Sequence, residues 1–126
     1  MTTLDQYVSV RYVVDDVQAA VDFYTGHLGF EVRSHPAPAF ADVVRGNLRL
    51  LLSGPESSGA RATPADAATP GRNRIHLEVD NLNTEIKRLR AAGLEFRSDK
   101  VSGPGGQQIL LADPAGNLVE LFQPAG

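Results

Sequence analysis

The sequence contains no cysteine, which excludes a disulfide framework, and no apolar run close to the roughly 18–20 residues that span a bilayer. Lysine and arginine number 12 against 15 aspartate and glutamate residues, and this net charge of −3 offers no basic surface to a nucleic-acid backbone. Residues 1–6 lack a charged segment followed by an apolar one, so no secretory signal is predicted. We therefore expect a cytoplasmic protein with neither nucleic acid nor membrane as a partner.

One sequence pattern occurs twice in the chain, whose 126 residues and 42% hydrophobic content suffice for one domain with its own core. The first copy opens at residues 9–16 (Ser-Val-Arg-Tyr-Val-Val-Asp-Asp) and the second at residues 74–81 (Arg-Ile-His-Leu-Glu-Val-Asp-Asn). A Gly-Asn-Leu hairpin closes each copy, at residues 46–48 and 116–118. The predicted organisation is a single domain, residues 1–126, composed of module one (5–53), a linker (54–72) and module two (73–124).

Each module is predicted to contain one amphipathic helix. In module one, Asp15 and Gln18 stand at capping-box spacing before the apolar stripe, and Gly29 ends it. Module two repeats the stripe and ends it at Gly93. An extended run follows each helix, at residues 30–32 and 94–96. The stripe residues are Val17, Ala20, Val21, Tyr24 and Leu28 in the first helix, and Leu82, Ile86 and Leu89 in the second.

The connections differ in how well the sequence specifies them. The linker is rich in small, proline and polar residues without periodicity, so we expect an irregular segment, either a lid or a plain connection. Residues 113–117 (Asp-Pro-Ala-Gly-Asn) instead predict a tight turn between two strands. Aspartate caps its own backbone there, proline presets φ, and glycine accepts a positive φ.

Motifs in both modules resemble those of one known superfamily. They are Asp-Val at 16–17, Phe-Tyr at 23–24, Leu-Gly-Phe at 28–30, Val-Asp-Asn-Leu at 79–82, the turn at 113–117, and Val-Glu-Leu at 119–121. The chain resembles the vicinal oxygen chelate superfamily of glyoxalases, bleomycin-resistance proteins and extradiol dioxygenases, and in particular its metal-free, bleomycin-resistance-like branch. The resemblance implies an α+β fold in which two βαβββ modules form a curved, eight-stranded mixed sheet around a cup, commonly in a homodimer.

The resemblance also implies where a divalent metal lies in the enzymatic members, namely at four positions in the cup. Those positions correspond to Ser9, Leu50, Arg74 and Glu120, and of these only Glu120 matches the residue types that hold the metal. A catalytic divalent site needs about three protein ligands. We therefore expect no cofactor, and a divalent metal on relocated ligands is the alternative. Those relocated ligands would be His76, Glu78 and Glu120.

Strand alternation predicts which side chains face the cup and which face the helices. The predicted ligand contacts are Ser9, Arg11, Phe40, Leu50, Arg74, His76, Glu78, Gln108, Leu110, Glu120 and Phe122. By the repeat, Leu48 and Leu52 join Leu50 on the wall of module one. One side of the cup is thus expected to be aliphatic and aromatic and the other polar, which suits an amphipathic organic ligand.

The polar members of this set allow more than one role. His76 is either a structural partner of a neighbouring carboxylate, a ligand contact, or a general base or metal ligand. Glu120 is either the counter-charge of an arginine such as Arg74 or a base or metal ligand. Arg11 and Arg74 suit a carboxylate or phosphate on a ligand as well as internal ion pairs. Arg49 is expected to be solvated.

Three functional hypotheses follow. The leading one is a metal-independent small-molecule binding protein that sequesters an antibiotic or an amphipathic metabolite. The second is an enzyme, either a metal-dependent lyase, isomerase or dioxygenase with non-standard ligands, or a metal-free acid–base catalyst using His76 and Glu120. The third is an interaction module with a filled cup.

Overall fold

The structure, a computed structural model, describes residues 6–126. Residues 1–5 lie outside this range. They include the predicted start of module one at Asp5 and most of the segment, residues 1–6, in which no secretory signal is predicted. The chain divides into two compact units, unit one ending at Arg72 and unit two spanning Asn73–Gly126.

Unit one folds as strand, helix and three strands, followed by a short helix. Its sheet has the order β1-β4-β3-β2, in which β1 runs parallel to β4 and the other pairs are antiparallel. The elements are β1 Val8–Val13, α1 Val17–His27, β2 Glu31–Ala37, β3 Phe40–Arg45, β4 Leu48–Ser53, α2 Ser58–Ala62 and a 3₁₀ turn at Ala65–Ala67.

Unit two repeats this topology with the sheet order β5-β8-β7-β6. Strands β5 and β8 are parallel, and the remaining pairs are antiparallel. The elements are β5 Arg74–Glu78, α3 Leu82–Ala91, β6 Val101–Gly103, β7 Gly106–Ala112 and β8 Leu118–Pro124. The α+β class and the two βαβββ modules are confirmed, with the eight strands arranged as two four-stranded mixed sheets.

The helices begin and end close to where the sequence predicts. The capping-box prediction at Asp15 was wrong by one residue, because Asp16 is the N-cap and accepts from the Ala19 amide at 3.0 Å. Asn81 caps α3 in the same way through the Thr84 amide at 3.0 Å. Gly29 ends α1 with a φ of 73°.

Two segments differ from the expected pattern. The linker contains α2, because the Ser57 side chain caps it by accepting from the Ala60 amide at 3.2 Å. In unit two the extended run after α3 makes only one bridge, Phe96 with Leu111. The Ser98 hydroxyl accepts from the Leu110 amide at 3.0 Å, so a side chain replaces the backbone carbonyl that a regular strand would supply.

A charged network lies in the sheet of unit one. Asp42 on β3 is fully buried. Its Oδ2 atom accepts from Arg33 Nε and, at 2.6 Å, from Arg49 Nε, while its Oδ1 atom accepts from the Ser34 hydroxyl. The prediction that Arg49 is solvated was therefore wrong, since only 15% of its side chain is exposed.

A β-bulge explains how two consecutive residues of β2 reach the same carboxylate. Val32 pairs with Val43 and Ser34 pairs with Asp42, so Arg33 is an extra residue on β2. In a regular strand Arg33 and Ser34 would point to opposite faces, and a bulge re-aims one of them. The bulge thereby gathers two hydrogen-bond donors at Asp42.

The ionisation of Asp42 depends on these partners. Burial alone would raise the pKa of its carboxyl group, but hydrogen bonds from Ser34, Arg49 and Arg33 outweigh burial and hold the pKa below the ordinary value of 3.8. Asp42 therefore stays ionised inside the sheet at neutral pH.

The turn predicted at residues 113–117 is confirmed. Asp113 Oδ1 accepts from the Ala115 and Asn117 amides at 2.9 and 2.8 Å. The buried Asn117 side chain donates to Asp113 Oδ2 at 3.0 Å and accepts from the Asn73 amide at 2.9 Å. This asparagine therefore ties the turn before β8 to the start of β5.

Replacing Asn117 with alanine should lower the free energy of unfolding by about 2 kcal/mol, because a buried carboxylate oxygen and the Asn73 amide lose their partner. Asn47→Ala is the matched control, since Asn47 holds the equivalent position in the first Gly-Asn-Leu hairpin and is exposed. Urea denaturation of both variants measures the difference. Equal losses in the two variants would contradict the proposed role of Asn117.

Acid should remove the stability that Asp42 contributes. Because its folded pKa lies below 3.8, this contribution is complete above that pH and is lost as the pH falls through the lower folded value. Asp42→Asn should cost about 3 kcal/mol at pH 7, the low end for a broken buried ion pair, because 35% of the Arg33 side chain is exposed. The variant should also lose this part of the acid dependence of unfolding, whereas the exposed control Asp66→Asn should keep it. An unchanged acid profile in Asp42→Asn would contradict this account.

Candidate functional site

In the first sheet, register divides the side chains into two faces. Val10 and Tyr12 on β1 pair with Leu50 and Leu52 on β4; Tyr12, Leu50 and Leu52 are fully buried, and α1 packs against β3 and β4. The opposite face, called the first polar face, carries Ser9 with Arg49 in one cross-strand row and Arg11, Leu51 and Asp42 in the next. The row after that contains Val13, Ser53 and Phe40.

The position predicted for Leu50 was wrong by one residue. Leu50 is fully buried opposite Val10 and Val43, and Leu52 is buried on the same side. Side chains alternate along a strand, so a slip of one residue moves a side chain to the other face. His76 pairs with Glu120 as Arg11 pairs with Leu51, so Leu51 is the counterpart of Glu120.

A pocket of about 390 Å³ lies at the edge of the first polar face. It brings together Arg11 and Phe40, two of the predicted ligand contacts, with Glu56 and the first residues of α2. A second pocket, of about 510 Å³, lies at the start of α1 between Val17 and Pro38. Ala37, Ala39 and Glu56 line both pockets, which therefore adjoin. No sequence pattern indicated the second pocket.

The guanidinium of Arg11 is positioned by the end of β4 and by α2. Arg11 Nη1 donates to the Ser53 hydroxyl at 3.1 Å. Gly59 lies directly against it, because a Cβ atom at Gly59 would come within 2.7 Å of Arg11 Cζ. A side chain at position 59 would therefore force the guanidinium of Arg11 to shift.

In the second sheet, register gathers the predicted residues on one face, called the second polar face. The row of His76, Glu120 and Leu110 is followed by the row of Glu78, Phe122 and Gln108. Ile75, Leu77, Ile109, Leu111, Val119 and Leu121 alternate with them and are buried. Arg74 lies in the preceding row, opposite Leu118, and the role of these seven predicted residues as ligand contacts stays a prediction.

Glu120 is the centre of the contacts on the second polar face. Arg74 Nη2 donates to Glu120 Oε1 at 2.8 Å, and His76 Nε2 lies 3.6 Å from Glu120 Oε2. The His76 ring also contacts the Phe122 ring, with 5.0 Å between their centres. About half of the Arg74 and His76 side chains is exposed, while Glu120 is only 13% exposed. The carboxylate thus binds the guanidinium of Arg74 and lies beside His76, whose ring contacts Phe122.

These residues do not fit the divalent metal centre that the resemblance implies. The guanidinium of Arg74 stands where a ligand is expected, and it binds the carboxylate of Glu120. Within residues 6–126, no three histidine, cysteine, aspartate or glutamate side chains come together as a metal requires. The relocated triad of His76, Glu78 and Glu120 is not assembled, because Glu78 lies one row beyond the other two.

Sequence reasoning missed the Asp42 network, although it is the most buried charge cluster on either polar face. An aspartate flanked by apolar residues at 40–41 and 43–44, with arginines at 33 and 49, was the available signal. The bulge that aims Arg33 at Asp42 leaves no mark in the sequence.

In the described part of the chain, no helix is long and apolar enough to cross a membrane.

Solved structures with the same fold cover almost the whole chain. TnmS3, an antibiotic binding protein from Streptomyces sp. CB03234, has a TM-score of 0.77 and 24% identity over 99% of this chain and 98% of its own. A lactoylglutathione lyase from Agrobacterium tumefaciens has a TM-score of 0.74 and 22% identity over 92% and 91% of the two chains. At these identities the likeness establishes the fold alone.

A third structure and the family profile define the relationship further. A glyoxalase/bleomycin resistance protein/dioxygenase from Nocardioides has a TM-score of 0.73 and 29% identity over 98% of this chain and 84% of its own. The search of curated proteins gave no match. The profile of one superfamily matches residues 3–121, which covers both units. The chain therefore belongs to the Glyoxalase/Bleomycin resistance protein/Dioxygenase superfamily.

Proposed function

We propose that this protein binds a small amphipathic organic molecule without the help of a metal, and that it acts by sequestering that molecule. The observation that carries the proposal is the pocket in which Arg11 and Phe40 meet, of about 390 Å³. Pockets of this size with apolar walls and a few fixed polar groups are typical of small-molecule sites. TnmS3, which shares the fold, is an antibiotic binding protein, and this supports an antibiotic as one such ligand.

The chemistry of the pocket favours a ligand with a flat apolar part and a polar end. The Phe40 ring offers a stacking surface, and the guanidinium of Arg11 is a planar donor for an oxygen-bearing group. Ser53 and Gly59 hold that guanidinium before any ligand arrives, so little side-chain entropy would be lost on binding.

The second polar face supports the same class of ligand. Its Phe122 ring is half-buried beside the imidazole of His76, and Gln108 stands in the next position of the same row. An aromatic surface bordered by polar groups matches an amphipathic molecule better than a purely charged one. The homodimer and the cytoplasmic setting stay predictions.

Gly59→Ala should abolish binding without loss of stability. The new methyl group would displace the guanidinium of Arg11, while the backbone at position 59 has no positive φ and tolerates alanine within α2. Gly26→Ala is the control, because its Cβ atom would meet nothing within 4 Å in α1. A chelator-treated sample is first screened against aromatic and amphipathic compounds by thermal shift, and the hits are titrated by NMR.

Phe40→Ala should weaken the same hits roughly tenfold or more, the effect of removing an aromatic contact worth about 1–2 kcal/mol. Two results would contradict the proposal: no compound stabilises the metal-free protein, or the hits bind Gly59→Ala and Phe40→Ala as tightly as they bind the parent chain.

The contact between His76 and Glu120 favours acid–base catalysis as the second candidate, since a histidine beside a carboxylate is a common proton-transfer pair. Arg74 argues for a charge-pairing role of Glu120, because it occupies one carboxylate oxygen at 2.8 Å.

Under our proposal, elemental analysis of the natively purified protein should find far less than one divalent metal per chain, and Glu120→Ala should not change that metal content. Near-stoichiometric metal that disappears in Glu120→Ala would establish a metalloenzyme instead.

A further inference from the structure

We infer that Arg33 and Arg49, held by the buried carboxylate of Asp42, form a subsite for an oxyanionic group of the ligand. This inference rests on the proposed function and specifies the chemistry of the ligand, which would carry a carboxylate, sulfonate or phosphate. The subsite lies on the first polar face, where Asp42 shares a cross-strand row with Arg11 and Leu51.

The charges of the network do not balance. Two guanidinium groups bind one carboxylate, and each donates its Nε–H group to the same oxygen of Asp42. A single arginine would neutralise a buried aspartate, so the second leaves a local excess of one positive charge. Burial makes such an excess costly unless a counter-charge arrives. An anionic group on a ligand would supply that counter-charge.

The geometry leaves hydrogen-bond donors available on both arginines. Arg49 Nη1 makes only a long contact with the Ser9 hydroxyl at 3.4 Å, and Arg33 Nη2 makes one with Ser34 at 3.5 Å. With Nε–H engaged by Asp42, one Nη–H of each guanidinium points the same way as Nε–H, and the other three N–H groups point along the remaining edges of the planar group. These planar groups match the oxygen atoms of a carboxylate or phosphate.

Both arginines are accessible enough to meet a ligand and constrained enough to be preorganised. Their side chains are 35% and 15% exposed, whereas Asp42 is fully buried. Asp42 is thus a positioning residue that a ligand would not touch. The bulge at Arg33 brings the second guanidinium to the site, and bulges often re-aim side chains at functional sites.

The anion subsite at Arg33 and Arg49 is separate from the place where Arg11 would bind a polar group of the ligand. The backbones of Arg11 and Asp42 are separated by two strand spacings, roughly 10 Å. Arg11 is turned toward Ser53 and Gly59, whereas Arg49 is turned toward Asp42 and Ser9. A ligand that used both would be extended, with an anionic end over β3 and a second polar group near β1.

The first test uses inorganic sulfate on the full chain at constant ionic strength, and NMR follows the Nε–H signals of the arginines. Sulfate should shift the signals of Arg33 and Arg49 saturably and leave that of Arg61, an exposed arginine on α2, unchanged. Arg49→Gln should abolish the shift at Arg33. If Arg49→Gln does not fold, Arg49→Lys keeps the charge beside Asp42 but removes the planar group, and it should weaken the response. Shifts at Arg33 and Arg49 no larger than at Arg61 would overturn the inference whatever happens at the pocket.

The second test compares 2-naphthoate with its neutral isostere 2-naphthamide. The parent chain should bind the carboxylate roughly tenfold or more tightly than the amide, the effect of at least one charge-assisted hydrogen bond. Arg33→Gln should remove this preference and leave amide affinity unchanged, whereas Arg61→Gln should preserve it. Equal affinity for the two probes would overturn the anion subsite while leaving small-molecule binding intact. Failure of every compound in the thermal-shift screen would instead contradict the proposed function.

Discussion

One constraint underlies both units: a single helix covers one face of a four-stranded sheet, so the other face must satisfy its side chains by other means. In unit one the face toward α1 is closed by Tyr12, Leu50 and Leu52, all fully buried. The opposite face holds a carboxylate just as deeply, and the hydrogen bonds from Ser34, Arg49 and Arg33 make the burial of Asp42 tolerable. Alternation along the strands thus separates a hydrophobic core from a charged network by the thickness of one backbone.

The sequence predicted the fold because its signals were local and were repeated. Helix stripes, Gly29, Gly93 and the turn at residues 113–117 each specify a local geometry, and the second copy repeats the pattern of the first. The predicted orientation of Leu50 was wrong because the sequence comparison aligned the two copies one residue out of register. Only strand pairing reveals such a slip. The Asp42 network was missed because it joins β2, β3 and β4 through a bulge, a non-local feature that periodicity does not encode.

The two copies have diverged in charge more than in fold. On the first polar face Arg11 was expected, but beside it Arg33 and Arg49 bind the carboxylate of Asp42 where an aliphatic and aromatic wall was expected. On the second polar face, Arg74 meets Glu120, and Glu78 stands in the adjacent row. The prediction of one apolar and one polar wall was therefore wrong for unit one. Both faces are polar, and they differ in the sign of the charge in excess.

This difference bears on how the chain would recognise a ligand. A metal ion attracts oxygen ligands through its charge, and the position that would hold a metal ligand in unit two is occupied by Arg74. A guanidinium also attracts oxygen atoms, but it does so through directed N–H groups and requires no vacant coordination site. Under the inferred anion subsite, Arg33 and Arg49 would therefore take over the attraction that a metal would exert. Because their geometry is set by the carboxylate of Asp42, ligand recognition and the stability of the first sheet would depend on the same buried charge.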